Sequence, residues 1–210
     1  MQTKAKKLRE KIIKYLIQKN RKAKLSEKGI ASYFKVSRTP VREILKYLEY
    51  EGIIETKKKG GIKFKEFSKK EIKDMYDVRA LLEAFAIKEG IKNIKKEDIK
   101  ELKEYAKMYN KARKQGDILK GEKADKLFHK KIIELSGNKY LIYLIEKIHL
   151  FDTVFKAKLK GNEFYYPKYD LNPNSHTKII KAILKGDPDF AEEVIRNHIL
   201  WARDKIIKTK

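Results

Sequence analysis

The chain has 210 residues, no cysteine, and a formal net charge of +24 from 53 lysines and arginines against 29 aspartates and glutamates. With 41% hydrophobic residues it can bury a core in one or two domains, which excludes a disordered tail. The lack of cysteine excludes a disulfide framework and any thiolate metal site, so a metal would have to be held by histidine and carboxylates.

No apolar run approaches the roughly 18–20 residues of a membrane helix. The amphipathic, acid-containing start MQTKAKKLREKIIKYL is unlike a secretory signal. We therefore expect a soluble, cytoplasmic protein with no membrane association. The charge is uneven: residues 1–66 hold 20 Lys/Arg against 7 Asp/Glu, and residues 67–210 hold 33 against 22. Per residue, the first third is more than twice as positive, which favours nucleic acid or another polyanion as partner. A lysine-rich, glutamine-poor composition also accompanies growth at high temperature, so composition alone does not decide the partner.

In chain order, Leu8, Ile12, Ile13, Tyr15 and Leu16 recur at helical spacing over residues 4–18. The polar break KNRKAK follows. Ser26 precedes a short helix, EKGIASYF, with Ile30, Ala31 and Phe34 on one face. Ser37 then reads as the N-cap of a third helix, with Pro40 tolerated in its first turn. Val41, Leu45 and Leu48 form its apolar stripe with Ile44 beside them, and it stops at Gly52. IIETKKKGGIKFKEF reads as two short strands around Lys-Lys-Lys-Gly-Gly, a hairpin. Ser68 and Glu71 form a capping box, and from there every strong pattern is helical. Helices are expected at about 68–91, 96–115, 120–136, 138–159, 175–185 and 188–208, with an irregular loop at 162–175. The expectation is a mainly α chain: a winged helix-turn-helix over 1–66, then an all-helical bundle over 67–210.

Helix, helix, helix and hairpin with excess positive charge is the pattern that lays its third helix in the DNA major groove and its hairpin tip on the backbone. Arg38 and Arg42 stand one turn apart, opposite the Val41/Leu45/Leu48 stripe. Two planar guanidinium forks there can bond guanine O6 and N7, which lysine cannot do bidentately. Ser37 and Thr39, at the helix start, suit phosphate contacts. Lys57, Lys58 and Lys59 with Gly60 and Gly61 at the hairpin tip can approach a phosphate. The bland alternative pairs the two arginines with Glu27 or Glu43 on a solvated face.

There are four histidines: His129, His149, His176 and His198. Asp125 and His129, at i and i+4, share a helix face and can share a cation. His176 opens a helix, and His198 lies beside Val194 and Ile195, with Trp201 read as core. Three imidazoles and a carboxylate from separate helices can hold a divalent ion in a bundle core. From spacing alone, Asp-x-x-x-His is as readily a surface ion pair, and a lone histidine a core residue. His149 either lines an effector pocket beside the metal or packs as core. Asn138 reads as a helix cap after Gly137.

The segment LSEKGIASYFKVSRTPVREILKYLEYEGIIETKKKGG, with its Ser-Arg-Thr-Pro-Val-Arg-Glu run and Leu-Glu-x-x-Gly, resembles the GntR-type winged helix-turn-helix over about residues 25–65. The resemblance implies DNA contact by Lys28, Ser37, Arg38, Thr39, Arg42 and the wing glycines. SKKEIKDMYDVRALLEAFAIKEG, ADKLFHKKIIELSGN and SHTKIIKAILKGDPDFAEEVIRNHILWA resemble the signature segments of the FadR-type C-terminal ligand-binding (FCD) domain of the same superfamily. In its metal-binding members the ligands are one Asp and three His, which fall here on Asp125, His129, His176 and His198. That implies a divalent metal, zinc foremost, with nickel and manganese accepted by the same ligands. Arg79 falls where that family directs a guanidinium into the cavity, which fits a small organic acid as effector.

The function expected is a ligand-responsive transcriptional regulator. It should be a homodimer on a palindromic operator in double-stranded DNA, because one short recognition helix makes too few base contacts alone. The rival is a metal-dependent hydrolase anchored to nucleic acid by its basic domain, with Glu134 or Glu193 as the nearest candidates for a general base. A third reading is an architectural DNA binder whose histidines are structural.

Overall fold

Apolar side chains at helical spacing build α1 (Gln2–Lys19), whose Ile12, Ile13 and Leu16 are buried. In the computed structural model, residues 2–19, 25–57, 61–159 and 175–209 are described. The break KNRKAK falls largely outside them, as do residues 162–174 of the irregular loop and Lys58, Lys59 and Gly60 of the wing. The chain divides into two compact units: Met1–Phe67 with Phe151–Lys158, and Ser68–Leu150 with Leu159–Lys210.

In the first unit, α2 (Glu27–Phe34) is capped by Ser26, whose hydroxyl accepts from Gly29 N–H. Lys35 ends it in the left-handed region at φ 53° and returns its N–H to the helix, so the chain turns tightly into α3 (Arg38–Tyr50). Val41, Ile44, Leu45 and Leu48 are all buried, as their spacing predicts, each buried side chain of this kind contributing roughly 1.5–3 kcal/mol. Gly52, at φ 71°, takes the chain out of α3 into β1 (Ile54–Thr56), which pairs antiparallel with β2 (Ile62–Phe64) in the register Ile54↔Phe64, Glu55↔Lys63, Thr56↔Ile62. Leu25 adds one antiparallel bridge to Ile62.

The second unit is helical. Ser68 and Glu71 exchange side-chain and backbone bonds as a capping box and open α4 (Lys69–Gly90). A 3-10 turn over Ile91–Asn93 leads to α5 (Lys96–Lys114) and α6 (Ile118–Leu135). Next come α7 (Lys139–Leu159), of which Phe151–Lys158 groups with the first unit, α8 (His176–Leu184) and α9 (Pro188–Thr209). Asn138 caps α7, its side-chain oxygen accepting from the N–H groups of Tyr140 and Leu141 at 3.1 Å each.

α4 packs on α6 and α9, α5 on α6 and α8, and α8 on α9. Ala86, Ile133, Leu141 and Ile145 bind α4, α6 and α7 into one apolar cluster. Trp201, expected in the core, is half-buried, with Lys205 Nζ 5.1 Å above its ring. Its indole N–H makes full burial costly without a partner, so it sits at the rim. No helix among the described residues is long and apolar enough to cross a membrane.

Candidate metal centre and nucleic-acid interface

Three helices of the second unit bring together the four residues singled out as metal ligands. α6 presents Asp125 and His129 one turn apart, α8 begins with His176, and α9 carries His198. One ligand atom from each lies within 4.8 Å of all the others. His176 Nε2 stands 3.1 Å and His129 Nε2 3.6 Å from Asp125 Oδ1, and the Nε2 atoms of His198 and His129 are 3.2 Å apart. His129, His176 and His198 are 1%, 3% and 9% exposed, so the arrangement is an interior cluster and not the surface ion pair that Asp-x-x-x-His spacing also allows.

Two observations test whether these residues fit an ion. Both ring nitrogens of His176 are buried without a hydrogen bond, although Nε2 lies 3.1 Å from Asp125 Oδ1. Leaving buried polar atoms unpaired costs about 1–3 kcal/mol, and a metal would remove the cost at one of them. The ring is nonetheless fixed, stacked on Phe128 at 4.2 Å and met edge-on by Tyr109 at 4.7 Å. Second, the donor set of three imidazoles and a carboxylate is one that zinc, nickel and related ions accept.

Behind the cluster lies Glu83, a residue whose role spacing did not reveal. It is fully buried, and its Oε2 is 2.5 Å from His129 Nδ1. Accepting the Nδ1 proton fixes the ring and directs the His129 Nε2 lone pair to the cluster, the usual support of a metal-bound histidine. Glu83 Oε1 also accepts from Arg79 Nε at 2.6 Å and faces His149 Nε2 at 3.3 Å. Arg79 and His149, expected at the effector, are thus both drawn to Glu83. In the sequence Glu83 stands four residues after Arg79, a spacing shared with the ordinary i,i+4 ion pairs of helices.

Burial works against the charge of Glu83, but Arg79 and His129 outweigh it and hold its carboxyl well below the ordinary range. Burial also opposes a charged His129, yet Glu83 and Asp125 push its pKa up to about 9. Burial lowers His149 and His176, which favours neutral rings.

On the first unit, α3 exposes Ser37, Arg38, Thr39 and Arg42, and α2 exposes Lys28. Ser37 holds the N-cap position of α3, but its hydroxyl makes no capping bond. Arg38 Nε pairs with Glu27 Oε1 at 3.0 Å, the alternative that the sequence allowed, while Arg42 has no ion-pair partner among the described residues. Gly61 is buried, and its carbonyl accepts from Lys57 N–H at 2.7 Å, closing the base of the hairpin. Lys58, Lys59 and Gly60 lie outside the described residues. Glu134 is paired with Lys130 at 3.3 Å and Glu193 is exposed, and neither belongs to the four-residue cluster.

Residues 3–64 match the gntR family of bacterial regulatory proteins, and residues 74–200 match the FCD domain. The gluconate operon transcriptional repressor of Bacillus licheniformis is 31% identical over 189 residues, covering 87% of this chain and 75% of its own. The regulator LutR of Bacillus subtilis is 26% identical over 204 residues, covering 85% and 89%. Among solved structures, E. coli McbR/YncC superposes with a TM-score of 0.81 at 18% identity, covering 98% of this chain and 97% of its own, a likeness of fold. The family model and the two curated relatives are those of transcriptional regulators, which removes the hydrolase reading. The chain belongs to the GntR family, in the FadR-type branch that carries an FCD domain, and it is a DNA-binding transcriptional regulator and not an enzyme.

Proposed function

We propose that this regulator is metal-dependent and answers to a small organic acid. The observation that carries the reading is the convergence of Asp125, His129, His176 and His198, with His176 left without hydrogen bonds and His129 fixed by Glu83. These four residues would hold a divalent ion, zinc first among the candidates. When bound, the ion would supply a Lewis-acid centre for a ligand oxygen. One carboxylate and three neutral imidazoles leave a divalent site with a net positive charge, while Arg79 and Glu83 cancel one another. A monoanionic carboxylate completes that balance. Arg79 and His149 act on the site through Glu83 and help to shape its selectivity.

Ser37, Arg38, Thr39, Arg42 and Lys28 would contact DNA, with Lys58, Lys59 and Gly60 at the wing. A homodimer on a palindromic site is supported by two exposed apolar rows on the second unit. Val78, Leu81 and Phe85 lie on α4, and Tyr140, Tyr143 and Leu144 on α7. Effector binding changes operator affinity only as far as the acid discriminates between the two arrangements of the regulator.

The test is the metal content of the wild-type chain and of His198→Ala, followed by a thermal-shift screen of small carboxylates on both. The screen starts from sugar acids, because one relative is named for a gluconate operon. About one ion per chain, lost with the carboxylate response in the variant, supports the reading. If neither protein binds added zinc or nickel, the cluster is structural.

A further inference from the structure

α5 and α8 border a groove of about 750 Å³ on the second unit, lined by Lys103, Lys107, Lys111, Lys114 and Lys181 and, among the described residues, by no acid. All five lysines are exposed, and among the described residues none has an ion-pair partner. Elsewhere in this unit several lysines are neutralised by acids: Lys70 by Asp74, Lys73 by Asp77, Lys130 by Glu134, Lys131 by Asp98 and Glu101. After Glu104, α5 carries no acid at all. Among the described residues no ion pair offsets the repulsion among these cations.

We infer that this groove is a second nucleic-acid surface, one that grips the phosphate backbone of duplex DNA without reading its sequence. The four lysines of α5 are spaced four, four and three residues apart, so they run as a stripe of roughly 16 Å along one helix face. A small anion is captured by groups that converge on a point, whereas a row of cations suits a repeating polyanion. Lysine supplies point charges, in contrast to the forked arginines of α3, and so suits phosphates over base edges. Asn110, Gln115 and Thr177 add uncharged hydrogen-bonding groups of the kind that contact phosphates. Among the described residues no aromatic side chain lines the groove, which favours a duplex over single strands, since those are held by stacking on aromatic rings. A second copy of this chain is a poor occupant, because its net charge is also +24.

The test uses the full chain carrying Arg38→Ala and Arg42→Ala, which removes the recognition-helix contribution. Binding of a fluorescent 30-base-pair duplex of arbitrary sequence is followed by anisotropy between 50 and 200 mM salt. To this background are added either the groove changes Lys107→Gln, Lys111→Gln and Lys114→Gln, or the control changes Lys100→Gln, Lys123→Gln and Lys139→Gln, which alter net charge equally. At about 0.9 per phosphate contact, the groove changes should lower the salt slope by about 2–3 and weaken binding at low salt at least about tenfold. The control changes should leave both nearly unaltered, and Lys→Arg at the three groove positions should retain binding. Equal losses in groove and control variants would show an effect of overall charge and overturn the assignment. Unchanged DNA binding in the groove variant would also overturn it. Loss of poly-glutamate binding alongside that result would make the groove a site for an acidic protein instead. Melting temperatures within a degree or two of one another would show that all the variants are folded.

Discussion

His129 and Glu83, 46 residues apart in sequence, meet inside the helical unit with 2.5 Å between Nδ1 and Oε2. The contact ties a proposed metal ligand to a carboxylate that also receives Arg79. Glu83→Gln keeps the side-chain volume but removes the charge that orients His129 and balances Arg79. Metal affinity is expected to fall about 10–100-fold, as when the support of a ligating histidine is lost. The metal-free fold should also lose stability, by up to about 3–5 kcal/mol, because buried Arg79 loses the negative charge beside it. Competition with a chelator reads the first effect and denaturant melting the second. An unchanged affinity would mean that His129 is not oriented through Glu83.

The pH dependence of loading follows from the same contact. In the metal-free protein, burial disfavours a charged His129, but Glu83 and Asp125 outweigh it and raise its pKa to about 9. At pH 7 the ring is therefore protonated, and an ion must displace the proton before Nε2 can bind. Affinity should rise as pH increases from 6 to about 9 and then level off. His176, whose pKa burial lowers, competes little over that range. Zinc titrations at several pH values check the trend, and an indicator dye in weak buffer should register about one proton released per ion at pH 7. A flat affinity profile over this range would contradict the assignment.

Much of this organisation is legible in the sequence because it is local. The stripe Val41, Ile44, Leu45 and Leu48, the Ser68/Glu71 box and the Asn138 cap each depend on neighbours within a turn or two, and each is found in place. The six helices of the second unit begin and end within about two residues of expectation. Glu83 was hidden because its partner His129 is brought to it only by the packing of α4 on α6. Trp201 was misjudged because residue type suggests core while packing leaves it half-buried, and Gly61, expected at the hairpin tip, lies buried where Lys57 N–H closes on its carbonyl.

Gly90 marks the close approach that makes the Glu83–His129 contact possible. A Cβ there would stand 2.7 Å from Leu135 Cβ and 2.8 Å from the Leu135 carbonyl carbon, so α4 and α6 would have to separate. Gly90→Ala is expected to destabilise the chain by about 1–3 kcal/mol, despite the better helix propensity of alanine. It should also weaken metal binding, because the two helices carry the two partners. The denaturant midpoint checks the first effect. A stability gain of about 1 kcal/mol, the propensity effect alone, would show that the crossing can relax at no cost.

Arg38 and Arg42 are both exposed on α3, but among the described residues only Arg38 is held by an acid, with Glu27 Oε1 at 3.0 Å. An exposed pair of this kind contributes about 0–1 kcal/mol, so exchanging Glu27 for a base edge costs little. On duplexes selected by the wild-type chain, Arg42→Ala and Arg38→Ala are each expected to cost about 1–3 kcal/mol at constant salt and to relax preference at separate base positions. Glu27→Gln should shift stability by less than about 1 kcal/mol and leave preference intact, while tightening binding slightly by releasing Arg38. The double change Glu27→Gln with Arg38→Ala should lose that gain, because it acts only through the guanidinium. If Arg38→Ala instead weakens all duplexes uniformly and only lowers the salt slope, Arg38 contacts phosphate, and the base reading on α3 falls to Arg42 alone.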